Sequence, residues 1–221
     1  MPTRSAFVAE LARLEALTLN ALDLVAASLK RALAASEFRD AALARRVVAD
    51  DDHIDRCYLD VHAGILALLA TEAPVATDLR LATALLHVVG HVERMGDQCV
   101  NLAKMSLVAG DAPLDPALSM GIQRMGTLAL SDITRARHAF AARDPDLAVQ
   151  VVREHERVTC LDRDVFARAT HATPRDVGRA LSAVLMARAL NRIDDNAVAI
   201  ADQGGFVVTG RLRESRELAL H

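Results

Sequence analysis

The chain has no tryptophan, and aromatic residues make up only 3% of it. Its 52% apolar content therefore comes mostly from alanine, leucine and valine. Ten glycines and six prolines are the only strong breakers in 221 residues. That balance favours long helices over strands. The three cysteines, Cys57, Cys99 and Cys160, are odd in number and widely spaced. They form neither a disulfide framework nor a Cys-x-x-Cys metal motif, which fits a reducing, cytoplasmic compartment. No apolar run approaches the roughly 18 residues that a membrane helix needs; the longest, such as 65–70, are far shorter. Arg4, Glu10, Arg13 and Glu15 leave no signal-peptide core near the N-terminus. A net charge of -3, with both signs intermixed, argues against nucleic-acid binding through charge alone.

What is present is helical periodicity. Leu43, Val47, Ile54, Tyr58, Val61, Ile65 and Leu68 recur at three- and four-residue intervals. Leu85, Val89, Val92, Gly96, Cys99 and Ala103 do the same. A polar turn is expected at 37–40. Pro74 precedes a further helix, with Thr77 as its N-cap and Asp78 in the first turn. The clearest linker spans Gly110 to Pro116.

The pattern repeats. Residues 39–48 return as 143–152, with the Arg-Asp start and a Leu-Ala pair retained and Val-Val at the end. Further on, Asp78, Arg94, Asp97 and Val100 return as Asp176, Arg192, Asp195 and Val198. The offset falls from 104 to 98, so one connection is shorter in the second half. The expected fold is all-α, two pseudo-symmetric three-helix bundles made by internal duplication. Its helices fall at about 5–36, 40–70, 77–108, 116–142, 145–169 and 175–208. The repeats occupy 1–110 and 114–210, followed by a tail at 211–221.

The first half carries two carboxylate pairs, Asp51/Asp55 and Glu93/Asp97. Residues four apart share a helix face. At about 100° per residue, Asp51 and Asp55 lie roughly 50–90° from the apolar stripe of their helix, and Glu93 and Asp97 roughly 90–130° from theirs. Side-by-side packing would bring all four to one rim. Like charges so placed repel, and a hard cation such as Mg, Mn, Ca or Fe resolves the repulsion. The alternative is a solvated acidic face, salt-bridged to Arg56, Arg94 or Lys104. No Glu-x-x-His pairing of the ferritin-like kind accompanies the acids.

At these residues the chain resembles the PhoU family. The resemblance rests on Pro74–Arg80 (PVATDLR), Glu93–Asp97 (ERMGD) with Val100–Ala103, Asn191–Ala201 (NRIDDNAVAIA) and the ending Val207–Gly210. It implies six helices in two bundles and surface metal sites built from Glu/Asp-xxx-Asp motifs, one per repeat. It also implies a homodimeric, non-enzymatic regulator. Such a protein dampens phosphate uptake and phosphate-starvation signalling by linking the ATPase subunit of a phosphate ABC transporter to a sensor histidine kinase. The first-repeat motif is complete in Asp51, Asp55, Glu93 and Asp97. The second departs from it: His155, Thr159 and Asn191 replace three acids, and Asp195 alone is kept. A degenerate second site follows, with His155, Asp195 and Asp194 suited at most to a softer ion such as Zn. A carboxylate-metal enzyme of hydrolase or oxidase type is the competing function.

Among the remaining residues, His62 follows Asp55 on the same flank, where an ordinary interfacial role is expected. His87 and His91 project toward solvent. Arg80 is positioned to tie the proline loop to a neighbouring helix, and Cys99 falls on the apolar stripe. No nucleophilic triad or glycine-rich phosphate loop is present.

Overall fold

The computed structural model describes residues 4–71, 74–109 and 112–211. The described residues form helices and connecting turns, with no strand. The helices are α1 (Arg4–Phe38), α2 (Ala41–Asp50), α3 (Asp52–Thr71), α4 (Ala76–Ala109), α5 (Pro116–Ala142), α6 (Pro145–Ala169) and α7 (Val177–Thr209). α2 and α3 are two limbs of one interrupted helix. The fold is thus six helices in two bundles, α1 with α2/α3 and α4, and α5 with α6 and α7.

The single helix expected at 40–70 is broken at Asp51. The Ile54 N–H donates to the Asp51 carbonyl at 2.8 Å, a tight i+3 bond, beside the usual i+4 bond from Asp55 at 3.2 Å. Three consecutive aspartates, poor helix formers with like charge, sit at the break. The expected N-cap at Thr77 is also corrected. α4 starts at Ala76, and the Thr77 hydroxyl accepts from Arg80 instead. The turn expected at 37–40 shrinks to Arg39 and Asp40. Gly110, Asp111 and the tail from 212 onward lie outside the described residues.

The repeated Arg-Asp pair has a structural cause. Arg39 and Arg143 both adopt the left-handed conformation, with φ of 55° and 57°, ending α1 and α5. Asp40 and Asp144 then cap the next helix by accepting from backbone N–H groups of Leu43 and of Asp146 and Leu147. In both turns the Asp N–H reaches back to an alanine carbonyl, Ala35 or Ala139, at 3.0 Å.

The bundles share one apolar core, and α4 makes its largest contact with α7. Small residues set the helix spacing. A Cβ added at Gly204 of α7 would stand 2.6 Å from the Ala139 carbonyl oxygen of α5. Arg80 ties the bundles at one end, its Nε donating to the Val207 carbonyl at 2.9 Å. Gly204→Ala is expected to lower stability by about 1–3 kcal/mol, because backbone must move. Gly90→Ala, with nothing within 4 Å of the added carbon, should raise it by about 0.5–1 kcal/mol. Thermal denaturation of the two variants checks both signs.

Candidate functional site

At the junction of α2 and α3 the Asp51 carboxylate lies against α4. Oδ1 lies where a side chain on Gly96 would meet it, 2.9 Å from the position of an added Cβ. That oxygen is buried and has no hydrogen-bond partner. Glycine at 96 is what allows the approach, with Glu93 and Asp97 on either side of it along α4. Asp55 continues the set from the first turn of α3. Asp55 and Asp97 are exposed, and Asp51 and Glu93 are half-buried.

The four carboxylates feel one another. Burial first, then the charges of Asp55, Asp97, Glu93 and Asp52, push the Asp51 pKa up to about 6. Glu93 is raised by burial and then by Asp97 and Asp55. None of the four forms an ion pair within 4 Å among the described residues. Arg56 turns instead to the Asp52 carbonyl, and Arg94 to His91. A salt-bridged acidic face is therefore not what these residues make. They leave an excess of negative charge beside an orphaned oxygen, a donor set that suits a hard cation. No group of three or more His, Cys, Asp or Glu among the described residues is already drawn together as a coordination shell. Four like charges without a counter-ion are expected to stand apart.

The equivalent place in the second repeat is filled from within. His155 stands where Asp51 does. Its Nδ1 is 2.8 Å from Asp194 Oδ2, and its Nε2 is 3.4 Å from Asp195 Oδ1. Thr159 and Asn191 complete the network, Asn191 Nδ2 donating to Asp195 Oδ2 at 3.4 Å. The hydrogen bond to Asp194 raises the His155 pKa, overcoming burial, which favours the charged form of the ring. Asp194 is fully buried, and so is Asp132 of α5. Each has one buried oxygen without a donor, and a proton on either carboxyl would let it donate a hydrogen bond to the other. Burial, followed by the Asp194 charge and that hydrogen bond, pushes Asp132 up to about 7; Arg135, 3.1 Å away, opposes the shift.

Sequence reasoning missed Asp132. The signal was available: it is a charged residue on the apolar stripe of Met125, Ala129, Ile133 and Ala136. In the first repeat the matching positions hold Ser28 and, opposite Asp194, Gly96. His91 was also misplaced. It is half-buried rather than solvent-facing, with Nδ1 2.7 Å from Asn196 Oδ1 across the α4–α7 contact. His62 packs on the Tyr58 ring at 5.6 Å between centroids, and Cys99 is buried in the core. All three cysteines are free thiols.

The PhoU domain family matches the chain twice, over residues 18–106 and 122–203. The chain belongs to the PhoU family. The two matches start 104 residues apart, the offset of the Arg-Asp turns. A phosphate-specific transport system accessory protein PhoU homolog from Caulobacter vibrioides is 31% identical over 181 residues, covering 80% of this chain and 79% of that protein. The homolog of the same name from Zymomonas mobilis is 28% identical over 218 residues, 97% and 91% of the two chains. The crystal structure of PhoU from Pseudomonas aeruginosa superposes with a TM-score of 0.87 at 27% identity, over 93% of this chain and 100% of that one. The PhoU regulatory protein from Streptococcus pneumoniae gives the same TM-score at 22% identity, over 94% and 99%, and supports the fold. No described helix is long and apolar enough to cross a membrane.

The second-repeat network predicts how stability varies with pH. An unfolded aspartate titrates near 3.9 and Asp132 in the fold near 7, so the folded state holds an extra proton between those values. That contribution is lost as pH rises through about 7. His155, whose pKa is raised, loses its contribution in the same direction. With metal chelated, the melting temperature should fall between about pH 5 and about pH 8, and Asp132→Asn should flatten the slope. A wild-type melting temperature that climbs over this range, or an unaltered slope in the variant, contradicts the assignment.

Proposed function

We propose that this chain is an accessory regulator of phosphate transport that restrains phosphate uptake and phosphate-starvation signalling. The observation that carries the reading is the match of both repeats to the PhoU domain, with near full-length relatives named as accessory proteins of the phosphate-specific transport system. In this reading it works on the cytoplasmic side, as a homodimer. Its partners are the ATPase subunit of a phosphate ABC transporter and a sensor histidine kinase. Relatives named as accessory and regulatory proteins favour this over a carboxylate-metal enzyme.

The first repeat holds a hard cation, Fe, Mn, Mg or Ca, through Asp51, Asp55, Glu93 and Asp97. The orphaned Asp51 Oδ1 and the unpaired carboxylates around it support that assignment. The ion would neutralise the acidic rim and hold the α2/α3 junction against α4. The second set, His155, Asn191 and Asp195, holds no hard cation, because its one exposed carboxylate already faces His155. A softer ion such as Zn would have to displace the proton from that imidazole.

The test is genetic. In phosphate-replete medium, deletion of the gene should derepress a phosphate-starvation reporter such as secreted alkaline phosphatase. The wild-type gene should restore repression, and an Asp55→Asn/Asp97→Asn copy should restore it only weakly. Full repression in the deletion strain would refute the regulatory reading; full restoration by the double variant would refute the role of the carboxylates.

A further inference from the structure

Along the outer face of the second repeat, α5 and α6 enclose an open groove with a volume of about 670 Å³. Leu128 and Leu161 floor it, and Met120 stands 62% exposed at its edge. Arg124, Arg153 and Arg157 line it, and a smaller continuation reaches Arg168. Arg157 pairs with Glu154 at 2.5 Å. Arg124, Arg153 and Arg168 have no carboxylate within 4 Å among the described residues. Three arginines without a carboxylate partner give this one groove a basic rim.

The duplication shows that the scaffold does not require them. At the offset of 104, Arg124 and Arg153 correspond to Asn20 and Ala49, and Arg157 to His53. Exposed Met120 corresponds to Ala16. On the matching face of the first repeat the basic residues are Arg56, at the position of Cys160, and Arg13, at that of Ala117 and paired with Glu10, so the same helix pair folds with its arginines placed elsewhere. These residues therefore serve something other than packing, and their chemistry limits what that is. Glu156 and Asp164 also line the groove, so its charge is mixed in sign; that pattern suits a few spaced carboxylates on a helix better than a continuous run of phosphates or a flat anionic membrane surface. The groove is open, and no buried cation sits in it to hold a small anion. From Arg153 to Arg168 it runs for about 22 Å at 1.5 Å per residue, the length of four turns of a docked helix. A polarisable methionine edge beside leucines suits an apolar helix stripe, and guanidinium groups at the rim suit carboxylates flanking that stripe.

We infer that the α5–α6 groove docks an acidic amphipathic helix of a partner protein, with leucine-type side chains over Met120, Leu128 and Leu161 and carboxylates meeting Arg124 and Arg153. This rests on the reading of the chain as an accessory protein with protein partners, and gives the partner's segment a chemistry.

The probe is a fluorescein-labelled, lactam-stapled 15-residue helix with leucines on one face and glutamates flanking them, followed by anisotropy. Wild-type protein should bind it, and binding should weaken about tenfold or more in Arg124→Glu/Arg153→Glu or at high salt. A matched peptide with lysines for glutamates, and phosphatidylglycerol vesicles, should not bind. Amide chemical-shift changes in the wild-type protein should map to α5 and α6, which tests the site even if the variant folds poorly. Equal binding by wild type and a folded variant, shifts mapping elsewhere, vesicle binding without peptide binding, or groove-dependent self-association in sedimentation would each overturn the inference. Absence of peptide binding alongside derepression in the deletion strain rejects the groove and leaves the regulatory reading intact. The reverse pair of results rejects that reading alone.

Discussion

Asp51 places a carboxylate oxygen against the backbone of α4 at Gly96, where no donor meets it. A buried charge must find a proton, a cation or a hydrogen bond, or its desolvation weighs against the fold. Burial and the charges of Asp55, Asp97 and Glu93 push Asp51 up only to about 6, so protonation alone is a poor answer at neutral pH. The first repeat thus carries an electrostatic demand that its own side chains do not meet. The second repeat has the same helices, and its buried carboxylates, Asp132 and Asp194, lie beside groups that can answer them. The His155 ring stands between Asp194 and Asp195, and burial with the Asp194 charge pushes Asp132 up to about 7, so a proton is available to that pair. One half has a histidine among its buried acids, and in the proposed reading the other takes its counter-charge from solution.

That contrast is possible because the scaffold is indifferent to it. The left-handed Arg39 and Arg143, the Asp40 and Asp144 caps and the alanine-rich cores are common to both halves. They fix where each helix begins and how closely neighbours approach. The positions that differ lie at the helix flanks, Asp51 against His155 and Gly96 against Asp194, or on the outer face, Asn20 against Arg124. Helix packing tolerates such exchanges, since none removes a large apolar side chain from the core.

The architecture was legible in the sequence because duplication and three-to-four-residue periodicity report on backbone and core. Pro116–Ala142 and Pro145–Ala169 start and end where their caps and apolar stripes place them. The four carboxylates were legible because i,i+4 spacing puts each pair on one face. The break at Asp51 was not, since it depends on a hydrogen-bond shift inside an otherwise periodic helix. His91 was misplaced because projection on one helix says nothing of Asn196 on another. Asp132 was readable only by asking why an acid lies on an apolar stripe, and its answer, Asp194, is 62 residues away in sequence.

The central claim is that one repeat is built to take a hard cation and the other is closed to it. An anomalous difference map from crystals equilibrated with Mn²⁺ tests it most directly, because it locates the ion as well as detecting it. The account predicts strong density among Asp51, Asp55, Glu93 and Asp97 and none beside His155. Density between His155 and Asp195, or none at either place at millimolar Mn²⁺, would contradict it.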